Sequence, residues 1–393
     1  MPLQPATGTR DLNPQQVESN HQLTKQLAEL YRLWGYEEVS PPKVERLDTL
    51  MAGGAINSHE IVRLVADEPL GLRPEMTVSI ARAACTRLSS KSRPLRLSSS
   101  GTIFQSRESA EGGVFIQENL HSGVELFGVR DIAGEMELLS LLLKAMETLE
   151  LNKNKKKPIL LISHTELMNL ILKSINKEST KEIREHLAAF DSLYIEESNV
   201  DSNVKTKLLE IQRIRGVPTK VIAYLESLYG HDEVLENLKR IFSMLEPLAD
   251  SYGIRLQLDP TFQPQFELYK GIVFELVCES EAPPIVIARG GRYDELVERF
   301  GGKDQCNTGL GFSISIDRIQ ELKGYINQYS YEHTSILVSY GPESSLERAL
   351  KIQKKFHEEG IKAIVELQPC DNKAQANSLL KQRNCNELRW VND

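Results

Sequence analysis

The sequence predicts an α+β protein in which an antiparallel sheet is flanked by helices. Between residues 94 and 127, extended segments follow one another with only short turns between them, as is typical of antiparallel strands. Apolar residues recur at helical spacing both before and after this region. After residue 335 strands and helices alternate, which predicts a small α/β segment at the end of the chain.

The length and the cysteine content limit the organisation of the chain. At 393 residues it can bury a large core and should form two or three domains. We expect a main domain over residues 1–330, interrupted by a helical insertion at about 158–254, and a small α/β domain over 331–393. The five cysteines are widely spaced and contain no pair suited to zinc or redox chemistry. We therefore predict reduced thiols, no metal site and no cofactor.

Charge and hydropathy bear on partners and location. The formal net charge of −8 gives no positive footprint for nucleic acid or for an anionic membrane surface. The first residues lack the apolar stretch of a secretory signal, and no run is long enough to span a membrane. We expect a cytoplasmic protein that binds neither nucleic acid nor membrane.

The first 80 residues predict a helix, two short strands and the start of a second helix. The first apolar helical face consists of Leu23, Leu27, Leu30 and Trp34. Gly35 suits the end of this helix, and a strand is expected at residues 36–39. β-branched residues at 60–67 predict another strand, which leads into Leu-Arg-Pro-Glu-Met-Thr at 72–77 and a helix over 76–88.

The middle of the chain predicts strands and then a helical region. Strands are expected at 94–100, around Phe104, at 114–117 and around Glu125, which lies in an otherwise apolar strand. The charge of Glu125 therefore lies either at a sheet edge or in a pocket. A helix is expected over 131–149 with acidic residues at its N-terminal end. Residues 160–254 predict mostly helix, with no concentration of catalytic residue types.

The last part of the chain predicts strands around residues 273–275 and a helix that begins near Tyr293. The tail then predicts strands at 336–338, 363–367 and 388–391, which alternate with helices at 346–357 and 373–383.

Four of these segments resemble motifs of the histidyl-tRNA synthetase family. They are Leu-Arg-Pro-Glu-Met-Thr at 72–77, Gly-Val-Glu-Leu-Phe-Gly at 123–128, Ala-Arg-Gly-Gly-Arg-Tyr-Asp at 288–294, and Gly-Leu-Gly-Phe-Ser-Ile-Ser-Ile-Asp-Arg at 309–318. The resemblance covers roughly residues 5–320 well and the tail loosely. It implies a class II aminoacyl-tRNA synthetase-like antiparallel sheet flanked by helices, with a helical insertion and a truncated C-terminal α/β remnant of the anticodon-binding domain.

The same resemblance implies a histidine-binding pocket. The residues that match the family's ligand positions are Glu75, Thr77, Glu125, Tyr269 and Tyr293. Glu75 would bind the ammonium group, since a buried carboxylate stays ionised beside an opposite charge. The residues alone leave alternatives open, because Glu75 also suits the N-terminal end of a helix and Tyr293 also suits a core position.

Two cations of the family's adenylation chemistry are missing. Gln105 stands where the family has the arginine that grips ATP, and Pro264 stands where a second arginine assists attack on ATP. Neither replacement can neutralise phosphate charge. Arg107 lies two positions later on the same face of a strand, a shift of roughly 7 Å. His121 replaces a common glutamine, and Arg318 matches the arginine that stacks on ATP.

A histidine-shaped pocket without these cations resembles the family of ATP phosphoribosyltransferase regulatory subunits. That resemblance implies a non-catalytic protein, built as a class II-type homodimer, that joins the short catalytic subunit in the first step of histidine biosynthesis and responds to histidine as effector. The alternatives are a divergent histidyl-tRNA synthetase that uses Arg107 and Arg318, and an amino-acid sensor for another partner.

Overall fold

The structure is a computed structural model that describes residues 3–52, 59–109, 111–152, 158–173, 175, 177–263, 268–279, 283–302, 307–323 and 335–391. It divides into two compact units, Met1–Tyr325 and Ile326–Asp393. Among the described helices, none is long and apolar enough to cross a membrane.

The first unit combines helices with two sheets. Its helices are α1 (Pro14–Leu33), α2 (Leu47–Met51), α3 (Thr77–Cys85), α4 (Ile132–Thr148), α5 (Thr165–Leu172), α6 (Lys177–Ala188), α7 (Ser192–Glu197), α8 (Ser202–Arg213), α9 (Pro218–Tyr229), α10 (Glu233–Ser251), α11 (Asp294–Arg299) and α12 (Ile316–Lys323). Its strands are β1 (Glu37–Glu38), β2 (Val44–Arg46), β3 (Arg63–Leu64), β4 (Leu70–Leu72), β5 (Leu95–Glu108), β6 (Val114–Phe127), β7 (Ile159–His164), β8 (Arg255–Leu258), β9 (Ile272–Cys278), β10 (Ile285–Arg292) and β11 (Gly309–Ser315).

The central sheet has eight strands in the order β1-β5-β6-β11-β10-β9-β7-β8. All neighbours are antiparallel except the two outer pairs, β1 with β5 and β7 with β8. A smaller antiparallel sheet has the order β2-β4-β3. The predicted α+β class with an antiparallel sheet flanked by helices is confirmed.

Local sequence signals account for two of the helices that pack on the central sheet. The side chain of Asn13 caps α1 through the backbone N–H of Gln16, and Gly35 follows its end with a φ of 82°. The side chain of Asp131 caps α4 through the backbone N–H of Ala133. Helix α4 lies close to the predicted range of 131–149, and α1 ends just before Gly35, as the sequence predicts.

Two of the differences between the observed strands and the prediction change how the central sheet is built. The separate strands expected between residues 94 and 127 join into β5 and β6, which form one hairpin of two 14-residue strands. Residues 159–164 were expected to begin the helical region, yet they form β7 in the central sheet, between β8 and β9. In the sequence, helices α5 to α10 therefore lie between β7 and β8, which are neighbouring strands of the central sheet.

The central sheet separates two apolar layers. One layer contains α1, α4 and α10 together with Val124 and Leu126 of β6. The other contains α3 and α11 together with Phe127 of β6 and Leu97 of β5. Because successive side chains of a strand point to opposite faces, Glu125 belongs to the face that carries α3 and α11. Helices α5 to α8 form a third cluster of their own.

The second unit is a small α/β sheet. Its elements are β12 (Ser335–Tyr340), α13 (Leu346–Glu358), β13 (Lys362–Val365), α14 (Lys373–Gln382) and β14 (Glu387–Val391). The three strands are parallel in the order β13-β12-β14. The order and type of all five elements agree with the prediction.

Candidate functional site

A cavity of about 170 Å³ opens on the face of the central sheet that carries α3. Its walls come from the loop before α3, from β5, β6, β10 and β11, and from the segment just before β9. Four of the five predicted ligand residues line it: Glu75, Thr77, Glu125 and Tyr269. The structure thus brings together residues that are up to 194 positions apart in the sequence.

The registers of four neighbouring strands build the floor of the cavity. Glu125 of β6 lies between Leu97 of β5 and Gly311 of β11. A Cβ atom at position 311 would lie 1.7 Å from Glu125 Oε2. Glycine is therefore required there for the carboxyl group to reach the cavity.

Glu125 is buried and has two hydroxyl partners. Thr77 Oγ1 lies 2.7 Å from Glu125 Oε1, and the hydroxyl of Tyr293 contacts Glu125 Oε2. Burial raises the pKa of Glu125 to about 8, although both hydroxyl contacts act to lower it. Glu125 is therefore mostly protonated at neutral pH, and it can offer a proton as well as accept one.

Tyr293 reaches the site through Glu125. Its ring is buried, with 1% of its surface exposed, and it meets the ring of Phe127 edge-on at 6.3 Å. Tyr293 is not one of the described residues that line the cavity. It is thus a core aromatic that orients Glu125, and its direct contact with a ligand stays a prediction.

Glu75 combines the two roles that the sequence left open. Its Oε2 accepts a hydrogen bond from the backbone N–H of Thr77 at 2.5 Å, and its Oε1 accepts one from Val78 at 2.9 Å. These bonds satisfy free N–H groups in the first turn of α3. The same carboxyl lines the cavity, and burial raises its pKa. A cation in the cavity would meet this carboxyl.

Position 105 keeps a cation beside it despite the glutamine. Gln105 is buried, and its Oε1 accepts a hydrogen bond from Arg107 Nη2 at 2.8 Å. Arg107 also lies 3.4 Å from Glu60, and it lines the cavity with Gln105. The two-residue shift was expected to carry the charge away from this wall. The long side chain of Arg107 instead brings its guanidinium back.

Pro264 and Arg318 stand at two other positions where the resemblance implies contact with ATP, and they have different outcomes. Pro264 lies outside the described residues. Arg318 lines the cavity and forms an ion pair with Glu321 at 2.6 Å. Arg318 therefore keeps its charge at the cavity, although one of its terminal nitrogens is bonded to Glu321 of the same helix, α12.

His121, which replaces the family's glutamine, also lines the cavity. Its Nδ1 lies 2.9 Å from Ser313 Oγ, across the β6–β11 pair. Burial and the positive charge of Arg289 lower the pKa of His121 to about 4. The imidazole is therefore neutral at physiological pH.

Arg289 lines the cavity but was not among the predicted ligand residues. It lies on β10, and its Nε donates a hydrogen bond to Glu275 Oε1 on β9 at 2.7 Å. The alternation along β10 was the available signal, because it places Arg289 and Gly291 on one face and Arg292 on the other. Arg292 points away from the cavity, to Glu135 of α4 at 2.7 Å.

The described residues contain no group of three or more His, Cys, Asp or Glu side chains that could hold a metal ion. The cavity walls instead carry two carboxyl groups, three arginines and a neutral histidine. This arrangement suits a small ligand that carries both positive and negative groups.

Comparison with known proteins gives consistent relatives. The family model described as histidyl-tRNA synthetase matches residues 8–319. A protein from Prochlorococcus marinus (strain MIT 9303) that is called ATP phosphoribosyltransferase regulatory subunit is 55% identical over 391 residues, which cover 100% of both chains. A protein of the same description from Synechococcus sp. (strain WH7803) is 50% identical over 393 residues, again with 100% of both chains covered.

Solved structures show the same fold. A crystal structure from Bacillus halodurans, described as an ATP phosphoribosyltransferase regulatory subunit/histidyl-tRNA synthetase, has a TM-score of 0.82 at 21% identity and covers 100% of this chain and 98% of its own. A histidyl-tRNA synthetase from Nostoc sp. PCC 7120 has a TM-score of 0.78 at 17% identity, with 98% and 90% covered. The class II synthetase-like fold is thereby confirmed.

Proposed function

The chain belongs to the family of ATP phosphoribosyltransferase regulatory subunits, and on that premise we propose that it assembles with the short catalytic subunit of this enzyme, supports its turnover and transmits feedback inhibition by histidine. The observation that carries the proposal is the 55% identity over the full length of both chains. The chain then acts as a regulator in histidine biosynthesis and has no adenylation activity of its own.

Histidine is the proposed effector, and the cavity is its proposed site. Glu75 faces the ammonium group, while Glu125, held by Thr77 and flanked by Tyr269, faces the imidazole. A carboxyl with a pKa of about 8 can donate to one imidazole nitrogen, whereas an ionised one can only accept. These contacts support a site for a neutral imidazole ring at physiological pH.

Regulation would operate by linkage between the cavity and the catalytic subunit. Histidine favours an assembly state of low turnover, and substrates of the catalytic subunit must oppose histidine binding by the same coupling free energy. A class II-type homodimer joined to catalytic subunits in a symmetric, cytoplasmic hetero-oligomer is the assembly we propose.

One observation favours a second candidate function. Arg107 and Arg318 both line the cavity, so a divergent histidyl-tRNA synthetase could use them as its phosphate-binding cations. The full-length relatives favour the regulatory function over this alternative. Exchange of pyrophosphate into ATP in the presence of histidine, measured on the chain alone, separates the two functions.

Reconstitution tests the proposal directly. The short catalytic subunit from the same organism is assayed alone, with this chain, and with this chain plus histidine. We expect little turnover without the chain, substantial turnover with it, and inhibition when histidine is added. Turnover that is independent of the chain, together with histidine-dependent pyrophosphate exchange by the chain, would contradict the proposal.

Replacing Glu75 with glutamine should weaken histidine binding roughly 10- to 100-fold, because a hydrogen bond to a charged group is lost while the shape is kept. Calorimetric titration of histidine into the purified chain, alone and in the complex, measures the effect. Exposed Glu118 on β6 provides a control, since Glu118→Gln makes the same chemical change outside this cavity. Equal affinities of the Glu75 variant and the wild type would place the histidine site elsewhere.

A further inference from the structure

The contacts proposed above assign the ammonium and imidazole groups of histidine to Glu75 and Glu125, and they leave its carboxylate without an assigned partner. We propose that Arg289, supported by His121, forms a carboxylate subsite and so makes the cavity selective for a free α-amino acid. This inference rests on the proposed histidine-sensing function and adds to it the residue that recognises the acid group.

Within the part of the chain that the structure describes, the hydrogen bonds of Arg289 leave its two terminal nitrogens without a partner. Only Nε is engaged, with Glu275 of the neighbouring strand at 2.7 Å, and neither terminal nitrogen bonds to a residue that the structure describes. By contrast, Arg107 uses both terminal nitrogens, on Glu60 and Gln105. Glu275 therefore anchors Arg289 and leaves the planar pair of donors that binds a carboxylate through two parallel bonds.

The charge of Arg289 acts on two other residues of the cavity wall. Its positive charge helps to lower the pKa of His121, and it opposes the rise in the pKa of Tyr269. Both of these residues line the cavity. Arg289 therefore lies within electrostatic reach of groups on two different walls.

His121 can supply one more donor. Strand register places Ser313 directly opposite Arg289 and Ser315 directly opposite His121. When Ser313 donates its hydroxyl proton to Nδ1, the neutral ring carries its own proton on Nε2. Within the described residues, Nε2 has no other hydrogen-bond partner. In that tautomer, His121 supplies a donor to the cavity wall without adding a charge.

The two carboxyl groups of the cavity complement this subsite. Glu75 takes the ammonium group and Glu125 faces the imidazole, so Arg289 accounts for the third polar group of histidine. Without the Arg289 contact, a ligand that has an alcohol in place of the carboxylate should bind almost as well as histidine. Selectivity between these two ligands is therefore the property that Arg289 controls.

Titration of L-histidine and of L-histidinol into the full chain tests the inference, since histidinol has an alcohol in place of the carboxylate. We expect wild-type protein to bind histidine roughly 10- to 100-fold more tightly than histidinol. Arg289→Ala should reduce this ratio to about threefold or less, and Arg289→Lys should give an intermediate ratio because lysine keeps the charge but not the paired donors. Arg46→Ala is the control, since Arg46 is exposed, pairs with Asp48 at 3.0 Å and lies outside the cavity.

The outcomes distinguish this inference from the function on which it rests. A ratio that stays at the wild-type value in Arg289→Ala, with an unchanged circular dichroism spectrum, overturns the carboxylate subsite and leaves histidine sensing intact. If Arg289→Ala does not fold, an unchanged ratio in Arg289→Lys overturns it equally. Failure of the wild type to bind histidine, alone and in the complex, overturns the sensing function itself.

Discussion

As the pH rises from 5.5 to 8, the contribution of Glu125 to the stability of the first unit should fall, and Glu125→Gln should remove this contribution. The pKa of Glu125 rises from 4.5 to about 8 on folding, so between these values the folded state holds a proton that the unfolded chain has released. The free energy of unfolding then falls by about 1.4 kcal/mol per pH unit for this group. Below pH 4.5 both states are protonated, and above pH 8 both are ionised, so the slope disappears.

The difference between wild type and variant isolates this group from all others that titrate. Urea unfolding at pH 5.5 and 8 should show the wild type losing about 3 kcal/mol more than Glu125→Gln. Of the two tryptophans, Trp34 lies in the first unit and Trp390 in the second, so a Trp390→Phe background lets fluorescence report the first unit alone. Glu118→Gln, on the exposed side of the same strand, should follow the wild type. Parallel pH dependence of wild type and Glu125→Gln would contradict the raised pKa.

Local signals explain why much of the fold could be predicted. Gly35 and the Asn13 cap define the ends of α1, and the Asp131 cap begins α4. The tail was predictable because its strands and helices are separated by clear turns and each has its own periodicity. Each of these signals acts within a few residues, so no knowledge of distant partners was needed.

Pairing between distant segments explains what the sequence concealed. Residues 159–162 are a short apolar run, which a helix and a buried strand accommodate equally well. The run becomes β7 because it pairs with β9, where Leu161 lies opposite Glu275. Likewise Ser98, Ser99 and Gly101 weaken β5 as an isolated strand, yet continuous pairing with β6 carries it through all 14 residues.

The candidate site shows the same limit at the level of side chains. The motifs predicted that Glu75, Thr77, Glu125 and Tyr269 line one cavity, because sequence segments of this kind place whole strands and loops. They did not predict that Arg107 folds back onto Gln105, since the reach of a long side chain depends on its rotamer and its neighbours. Arg289 was not predicted as a ligand residue because its proposed role depends on the terminal nitrogens that remain available when its Nε bonds to Glu275.

Arg292, the second arginine of the 288–294 motif, gives the other large expected effect on stability. Arg292→Ala should destabilise the first unit by about 3–5 kcal/mol, because it leaves Glu135 as a buried carboxylate without its partner. Arg292 also contacts Val129 O at 3.1 Å and Asp294 at 3.3 Å, so it joins β10 to α4 and to the start of α11. Urea unfolding of the Trp390→Phe background, followed by Trp34 fluorescence, measures the loss.

The double variant Arg292→Met/Glu135→Met tests the reason for that loss. One Glu135 oxygen, Oε2, is buried and has no hydrogen-bond partner among the described residues, so the pair should not be stabilising relative to apolar side chains of similar size. We expect the double variant to recover most of the stability, and a double variant as unstable as Arg292→Ala would show that the pair itself stabilises the fold.

Arg289→Ala should instead leave stability within about 0.5 kcal/mol and change only ligand selectivity, because its side chain is 45% exposed. Of the two arginines in the 288–294 motif, Arg292 would thus stabilise the fold and Arg289 would bind the ligand.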